Sequence, residues 1–457
     1  MNTSVFEPRS LKLPNSYELV RLGYVARLQN GLTVDAKRDI TGDVVTRPYL
    51  RVANVQAGSL SLESVTEITV PRSVARRSTL RPGDVLMTEG GDLDKLGRGT
   101  VWQGELEGCL HQNHIFAIRP DPQRLNGRFL AYLTQSLYGR SYFESTGTRT
   151  TNLASTNSNK IQSFPLPLPP LEEQRRIADF LDTETARIDQ SVRARNTQAE
   201  KLTERDYAVI SETLIPGILN NPQGTGRAVF PWLPNIPTDR PLVRLGYVCR
   251  LQNGLTVDGK RDVTGDVVTR PYLRVANVQA GRLALDSVTE ITVPRAVANR
   301  STLRPGDVLM TEGGDLDKLG RGAMWNDELP QCLHQNHVFA LRPDRSVLDG
   351  RYLTLMTQTL HGRCYFESTG TKTTNLASTN SSKILGFPIP LPSVNAQRSL
   401  VAEVHEKIQS TATVRHRLNG QVALLTERRQ TLITAAVTGQ FDVSTASGCN
   451  VTEGVAV

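Results

Sequence analysis

The densest set of reactive side chains is the run Cys109-Leu110-His111-Gln112-Asn113-His114, which recurs as Cys332-Leu333-His334-Gln335-Asn336-His337. Cys-x-His-x-x-His supplies thiolate and imidazole, the donors zinc prefers. A structural zinc site, however, normally draws two ligand pairs well separated in sequence. Each run stands alone and passes directly into the strand-like IFAIRP or VFALRP. Period-two alternation then puts Cys109, His111 and Asn113 on one face and His114 on the other. No metal site is expected. A second group, Glu89-Gly90-Gly91-Asp92 with Asp94-Lys95, gathers carboxylates beside a lysine as some nucleases do. Leu93 holds the acidic place of the acidic-x-Lys arrangement, so the segment reads as a glycine-rich turn.

Other enzymatic signatures are missing. The sequence has no GxxxxGK[ST] phosphate loop and no GxGxxG after a strand. It has no GxSxG elbow and no HExxH helix. The Asp/Asn-Pro-Pro-aromatic tetrapeptide of amino-methylating enzymes is also absent. These side chains are therefore expected to bind rather than to catalyse, and a stand-alone hydrolase is a distant alternative.

The elements that position them come in duplicate. VRLGYVARLQNGLTVDAKRDITGDVVTRPYLRVANVQAG starts at Val20 and returns, nearly unchanged, from Val243. The offset of 223 residues holds without a gap to Pro169 and Pro392, with roughly four positions in five identical. A unit of this length folds around its own core. Each copy ends in a proline run, FPLPLPPLEEQRR from Phe164 and FPIPLPSVNAQRS from Phe387. Proline at the start and, in the first copy, a Glu-rich first turn mark a helix beginning. Apolar residues follow at three- and four-residue steps: Ile177, Leu181, Ile188, Val192, Ala199, Leu202 and Val209, then Leu400, Val404, Leu418, Val422, Leu425 and Leu432. Gly217 and Gly439 stand where each helix should stop. The spacing predicts two helices of about 40 residues, ~60 Å each, whose stripes need a partner.

The expected class is α+β: two duplicated α/β domains, each followed by a long helix, the helices pairing as an antiparallel coiled coil. The segments are 1–19 leading in, 20–170 and 243–393 as domains, and 171–217 and 394–439 as helices. Residues 218–242 form a Pro/Gly-rich connector, and 440–457 a small, polar, disordered tail. Formal net charge is +8 over 457 residues, which permits a nucleic-acid partner. Five thinly spread cysteines fit a reducing compartment, and no signal peptide or membrane span is evident, so the cytoplasm is expected.

Four features together carry a resemblance: the VRLGYVARLQNG start, GDVLMTEGGDLDKLGR from Gly83, GTRTTNLASTNSNKIQSFPLPLPPLEEQ from Gly147, and helix ends reading LTERDYAVISETLIPG or LTERRQTLITAAVTG. The chain resembles, over nearly its whole length, the DNA specificity subunit of type I restriction–modification systems. Its most specific element is the proline-to-Glu-Gln junction. There the second copy has Asn395-Ala396-Gln397 for Glu172-Glu173-Gln174, which weakens that part of the match. The resemblance implies two target-recognition domains on spacer helices and no chemistry in this chain. It implies double-stranded DNA and two methyltransferase subunits as partners, joined by two ATP-dependent restriction subunits where DNA is cut. S-adenosylmethionine, ATP and Mg would belong to those partners. A type II-like or other defence system using the same module is the nearest alternative, and a scaffold binding two copies of a protein partner is another.

Bases are read by polar side chains entering a groove, while cations on phosphates set position. Three stretches qualify. The loop 89–98 offers Lys95 and Arg98, matched by Lys318 and Arg321. The run with His111, Gln112 and Asn113 is matched by His334, Gln335 and Asn336. The segment 145–157 offers Thr148, Arg149, Thr150 and Asn152, matched by Thr371, Lys372, Thr373 and Asn375. Arg47 and Arg51, with Arg270 and Arg274, flank a strand-like run and suit phosphate or base contact. Gln and Asn suit adenine, and Arg suits guanine. Differences between copies gather in 101–108, 122–129 and 131–141, the last two read as one helix, and largely spare the candidate loops. Affinity for DNA should fall with salt at a slope near −0.9 per neutralised phosphate.

Overall fold

The computed structural model describes residues 13–33, 42–91, 96–149, 154–219, 242–256, 265–314, 319–372 and 377–443. It divides into two compact units, 1–195 with 420–457 and 196–419. Each unit holds one repeat together with stretches of both long helices.

In the first unit an antiparallel sheet runs in the order Ala26–Asn30, Ile115–Pro120, Val85–Thr88, Gly99–Val101. Alternation along its strands splits them between two cores. Val85, Met87, Phe116 and Ile118 pack towards the helices, while Leu86, Ile115 and Ala117 pack on Trp102, Leu50 and Cys109. A sheet covered on both faces explains why IFAIRP is apolar almost throughout. A second sheet joins Leu110–His111 in parallel to Val44–Leu50, which pairs antiparallel with Thr66–Pro71. Helices α1 (Arg72–Ser78), α2 (Gly127–Gln135), α3 (Leu137–Thr146) and α4 (Ser158–Gln162) complete the domain. Its first and last strands, Glu18–Arg21 and Pro165–Leu168, pair with each other. The prolines are tolerated there because a two-stranded ribbon needs few amide donors. Helix α5 (Leu171–Leu214) follows at once.

The second unit repeats this plan with Cys249–Gln252, Val338–Pro343, Val308–Thr311 and Gly322–Met324 as its four-stranded sheet. Its helices are α6 (Arg295–Ser301), α7 (Gly350–Met356), α8 (Leu360–Thr369), α9 (Ser381–Leu385) and α10 (Val394–Val437).

The segment LNGRFLAYLTQSLYGR, read from the sequence as one helix, is broken in two, and so is its counterpart in the second repeat. Ser136 turns extended (φ −64°, ψ 160°) and its hydroxyl accepts from Gly139 N–H, capping α3; Thr359 does the same for α8. The tail also begins later than expected, because Phe441 packs on Phe180 with centroids 5.6 Å apart. Residues 444–457, 1–12 and 220–241 lie outside the described residues.

Within each unit α5 and α10 are antiparallel. In the first, Ile177, Leu181 and Ile188 share a core with Leu432, Ile433, Ala436 and Val437. Asp189 meets Arg429 at 3.0 Å and Arg195 donates to Gln421 at 3.0 Å. In the second, Ile210 and Leu214 pack with Val401 and Val404, Arg415 pairs with Asp206 at 2.8 Å, and Lys407 donates to Thr213. A buried aliphatic side chain contributes roughly 1.5–3 kcal/mol, and the half-exposed Asp189–Arg429 pair under about 1 kcal/mol. Asp206, enclosed beside Arg415, loses its hydration on pairing, so the apolar stripe dominates. Both helices run 44 residues and are followed by Gly217 and Gly439 at φ +85° and +72°.

Candidate nucleic-acid interface

The three nominated stretches converge on one glutamate in each repeat. Glu89 N–H donates to the His114 carbonyl at 2.8 Å, and Thr156 N–H donates to the Glu89 carbonyl at 2.7 Å. The Glu89 carboxylate makes a short contact with His114 Nδ1. Strand Gly90–Gly91 pairs with Ala154–Ser155, which pairs with Thr148–Arg149. The second repeat reproduces this set. Glu312 N–H donates to His337, Thr379 N–H to Glu312, and the Glu312 carboxylate touches His337. Gly313–Gly314, Ala377–Ser378 and Thr371–Lys372 form the same ribbon.

A fourth segment locks the junction from below. Leu32 N–H donates to His111 carbonyl at 2.8 Å, and Asn113 N–H to Leu32 carbonyl at 3.1 Å. Gly31 is required for this approach: a Cβ there would sit 2.1 Å from the Gln112 carbonyl oxygen, as one at Gly254 would from Gln335.

The expected alternation of the Cys-x-His-x-x-His run is only partly realised, and His111 and His334 must be withdrawn as groove-reading residues. Both are fully enclosed (0%). Their Nδ1–H groups donate to the Ile115 and Val338 carbonyls at 2.9 and 2.7 Å. Burial pushes both imidazoles below the ordinary histidine range, so they stay neutral. The strand lasts only Leu110–His111 before the chain turns, which is why the pattern sends His111 inward and His114 to solvent. Cys109 and Cys332 are buried too, and burial pushes each thiol up to about 12, far from thiolate chemistry. Among the described residues no three His, Cys, Asp or Glu side chains come together to hold a metal ion.

Gln112 and Asn113 are half-buried beside the exposed His114, and Gln335 and Asn336 repeat this beside His337. Arg51 and Arg274 are exposed at the start of a short 3-10 turn. Arg47 and Arg270 are half-buried on the strand before it, as are Arg98 and Arg321 after the glycine-rich loop. Thr148 and Thr371 are exposed, and their hydroxyls accept from Lys160 and Lys383 at 2.8 and 3.0 Å. The side chains of Arg149 and Lys372, and residues Lys95, Lys318, Thr150, Asn152, Thr373 and Asn375, lie outside what the structure describes.

Sequence reasoning had not named Lys160 or Lys383, and it held Glu89, Glu312, His114 and His337 only as members of candidate stretches. The lysines follow the capping residues Asn157 and Asn380 by three places, whose side chains accept from their amides. That Asn-x-x-Lys spacing was the available signal. Behind the interface, Arg119 grips the enclosed Asp84 at 2.8 and 2.7 Å, and Arg342 grips Asp307 at the same distances. Each pair ties together the two central strands of its sheet at the ends that lie away from the loops.

Each repeat thus presents polar loops and cations on a sheet support, with burial removing the thiols and two of the histidines from reactivity. Among the described residues no helix is long and apolar enough to cross a membrane. Residues 14–201 match the family model described as the type I restriction modification DNA specificity domain. Over 446 residues the chain is 24% identical to the EcoKI specificity subunit, a type I restriction enzyme component of Escherichia coli (strain K12), covering 94% of this chain and 90% of that one. It is 22% identical over 440 residues to the StySPI specificity subunit of Salmonella potsdam, covering 94% and 90%. A solved chain from work on complex assembly and conformational transition of the type I R-M system shares its fold. That chain has a TM-score of 0.58 and 22% identity, with 94% of this chain and 100% of that one covered. The chain is thus similar over nearly its whole length to type I restriction enzyme specificity subunits, and its residues 14–201 match the DNA specificity domain of that family.

Proposed function

We propose that the chain reads a two-part DNA target through its two loop faces, works in the cytoplasm, and catalyses nothing itself. Methyltransferase subunits, and restriction subunits where cleavage follows, dock on it and carry S-adenosylmethionine, ATP and Mg chemistry. Gln112 and Asn113 on one side, and Gln335 and Asn336 on the other, are the side chains suited to adenine edges. Arg51, Arg98, Lys160 and their counterparts Arg274, Arg321 and Lys383 are suited to phosphate or guanine.

One observation carries this reading: the Glu89 junction recurs bond for bond at Glu312. Two loop faces that share their candidate side chains, Lys372 for Arg149 apart, on the same scaffold should read the same half-site. Helices that pair antiparallel would present the half-sites inverted, giving a palindrome interrupted by a non-specific gap. Sequencing of methylated bases in the host is expected to return such a split palindrome, and an asymmetric motif would exclude it. Removing one helical turn from both α5 and α10 is expected to change the gap and leave the half-sites intact.

A further inference from the structure

Where each long helix leaves its domain, one glutamine is wholly enclosed: Gln174 in α5 and Gln397 in α10. Gln174 Oε1 accepts Asn126 N–H at 2.8 Å, and its Nε2 donates to the Arg124 and Pro169 carbonyls at 2.9 and 2.8 Å. Gln397 Oε1 accepts Asp349 N–H, and its Nε2 donates to the Val347 and Pro392 carbonyls, all at 2.8 Å. The residues that are gripped differ between repeats, Asn126 against Asp349 and Arg124 against Val347, because only their main chain is used. The substitution of Glu172-Glu173 by Asn395-Ala396 therefore leaves the working part of the junction intact.

A second point of attachment comes from the other helix of the pair. Thr434 of α10 accepts Leu137 N–H, the first amide of α3, at 2.9 Å. Gln430 adds a bond to the Gln135 carbonyl at 2.8 Å. In the second unit Ser211 of α5 accepts Leu360 N–H, the first amide of α8, at 2.8 Å. Thr434 and Ser211 occupy equivalent places in the two helices. Apolar packing is non-directional and tolerates small rotations, whereas hydrogen bonds of fixed direction at two separate points do not.

We infer that Gln174 with Thr434, and Gln397 with Ser211, are positioning residues that set the angle of each recognition domain on the helix pair and thereby hold the gap between half-sites to one length. This rests on the two-part target proposed above. The test maps methylated sites in a host carrying the full assembly with Gln174→Met or Gln397→Met, which keep volume and remove the three bonds. Expected is an unchanged pair of half-sites, with methylation at gaps one base pair longer and shorter rising several-fold over wild type. A variant that methylates less but keeps the gap as strict as wild type overturns the inference and assigns these residues to stability alone. Should the glutamine variants fail to assemble, Thr434→Val and Ser211→Ala remove one side-chain bond each, and the same two outcomes decide. A wild-type target that is not two-part removes the reading and the inference together, and is recognised from the wild-type map alone.

Discussion

At the loop face the two repeats are interchangeable; at the helix face they are not. Glu89, His114 and Thr156 are matched atom for atom by Glu312, His337 and Thr379. Behind them, Tyr138 becomes His361, Tyr132 becomes Leu355 and Asn126 becomes Asp349. Yet the same jobs are done. Tyr138 Oη donates to the Pro165 carbonyl at 2.9 Å, and His361 Nε2 donates to the equivalent Pro388 carbonyl at 2.6 Å. Asn126 and Asp349 both cap the following helix. Where a side chain has only to satisfy a backbone group, several chemistries serve. Where side chains meet one another at the surface, as Glu89 meets His114, identity is kept.

The largest expected effect should fall equally on both repeats. Gly31→Ala and Gly254→Ala each force a Cβ into a carbonyl oxygen 2.1 Å away, backbone against backbone. Relief requires parting the Leu32 and Asn113 bonds, or those of Leu255 and Asn336. A cost of about 3 kcal/mol is expected from overpacking plus the lost bonds, with loss of protection at those amides in hydrogen exchange. Equal destabilisation by the two variants supports interchangeable loop faces, and a tolerated alanine in either repeat breaks the comparison.

Acid should separate the repeats. Burial holds His361 down to about 4, from an ordinary value near 6.5. The unfolded chain therefore takes up a proton between these values that the folded chain refuses. Stability is full above about pH 6.5, falls as pH drops, and levels off near pH 4. A shift of this size corresponds to roughly 3 kcal/mol. Tyr138 has no counterpart to this loss, and the depressed His111 and His334 are common to both units and cancel in the comparison. Hydrogen exchange at pH 5 against pH 7 is expected to show the second unit loosening more. His361→Tyr should close the difference; an unchanged difference would remove His361 as its cause.

Much of this was legible in the residues. The duplication, the two long helices and their stops follow from an offset of 223 and from apolar steps of three and four, because these signals are periodic. The break at Ser136 was not legible, since Leu133-Thr134-Gln135-Ser136-Leu137 keeps a helical pattern and the cap depends on one extended residue. Of the candidate site, the three converging loops were readable from what the copies share. The inward turn of His111 was not, because a two-residue strand leaves period-two reasoning too short a run. Lys160 was missed because its role depends on Thr148 folding back across twelve residues.

The smallest effect tests a place where a candidate cation has different surroundings in the two repeats. Arg47 lies over Gly108, so close that a Cβ there would be 2.9 Å from the guanidinium Nε. The second repeat has Gln331 at this position, held at φ +56°, and Arg270 donates instead to its neighbour's carbonyl, Thr269, at 3.2 Å. A left-handed conformation costs a β-carbon-bearing residue about 1–2 kcal/mol. Glycine would remove that strain but gains about 0.4–1 kcal/mol of unfolded-state entropy. The balance favours Gln331→Gly by about 0.5 kcal/mol, to be read from thermal unfolding of the full chain. The reverse change, Gly108→Gln, carries the strain and also displaces Arg47, so it should cost more than its counterpart returns. If Arg47 contacts DNA only in its Gly108-packed position, Gln331→Gly should also bring the second half-site's salt dependence towards that of the first, while Gly108→Gln moves the first towards the second. Equal salt slopes in all three proteins would mean that this arginine pair plays no part in distinguishing the repeats, leaving Arg51 and Arg274 as the exposed cations of that strand on which phosphate contact rests.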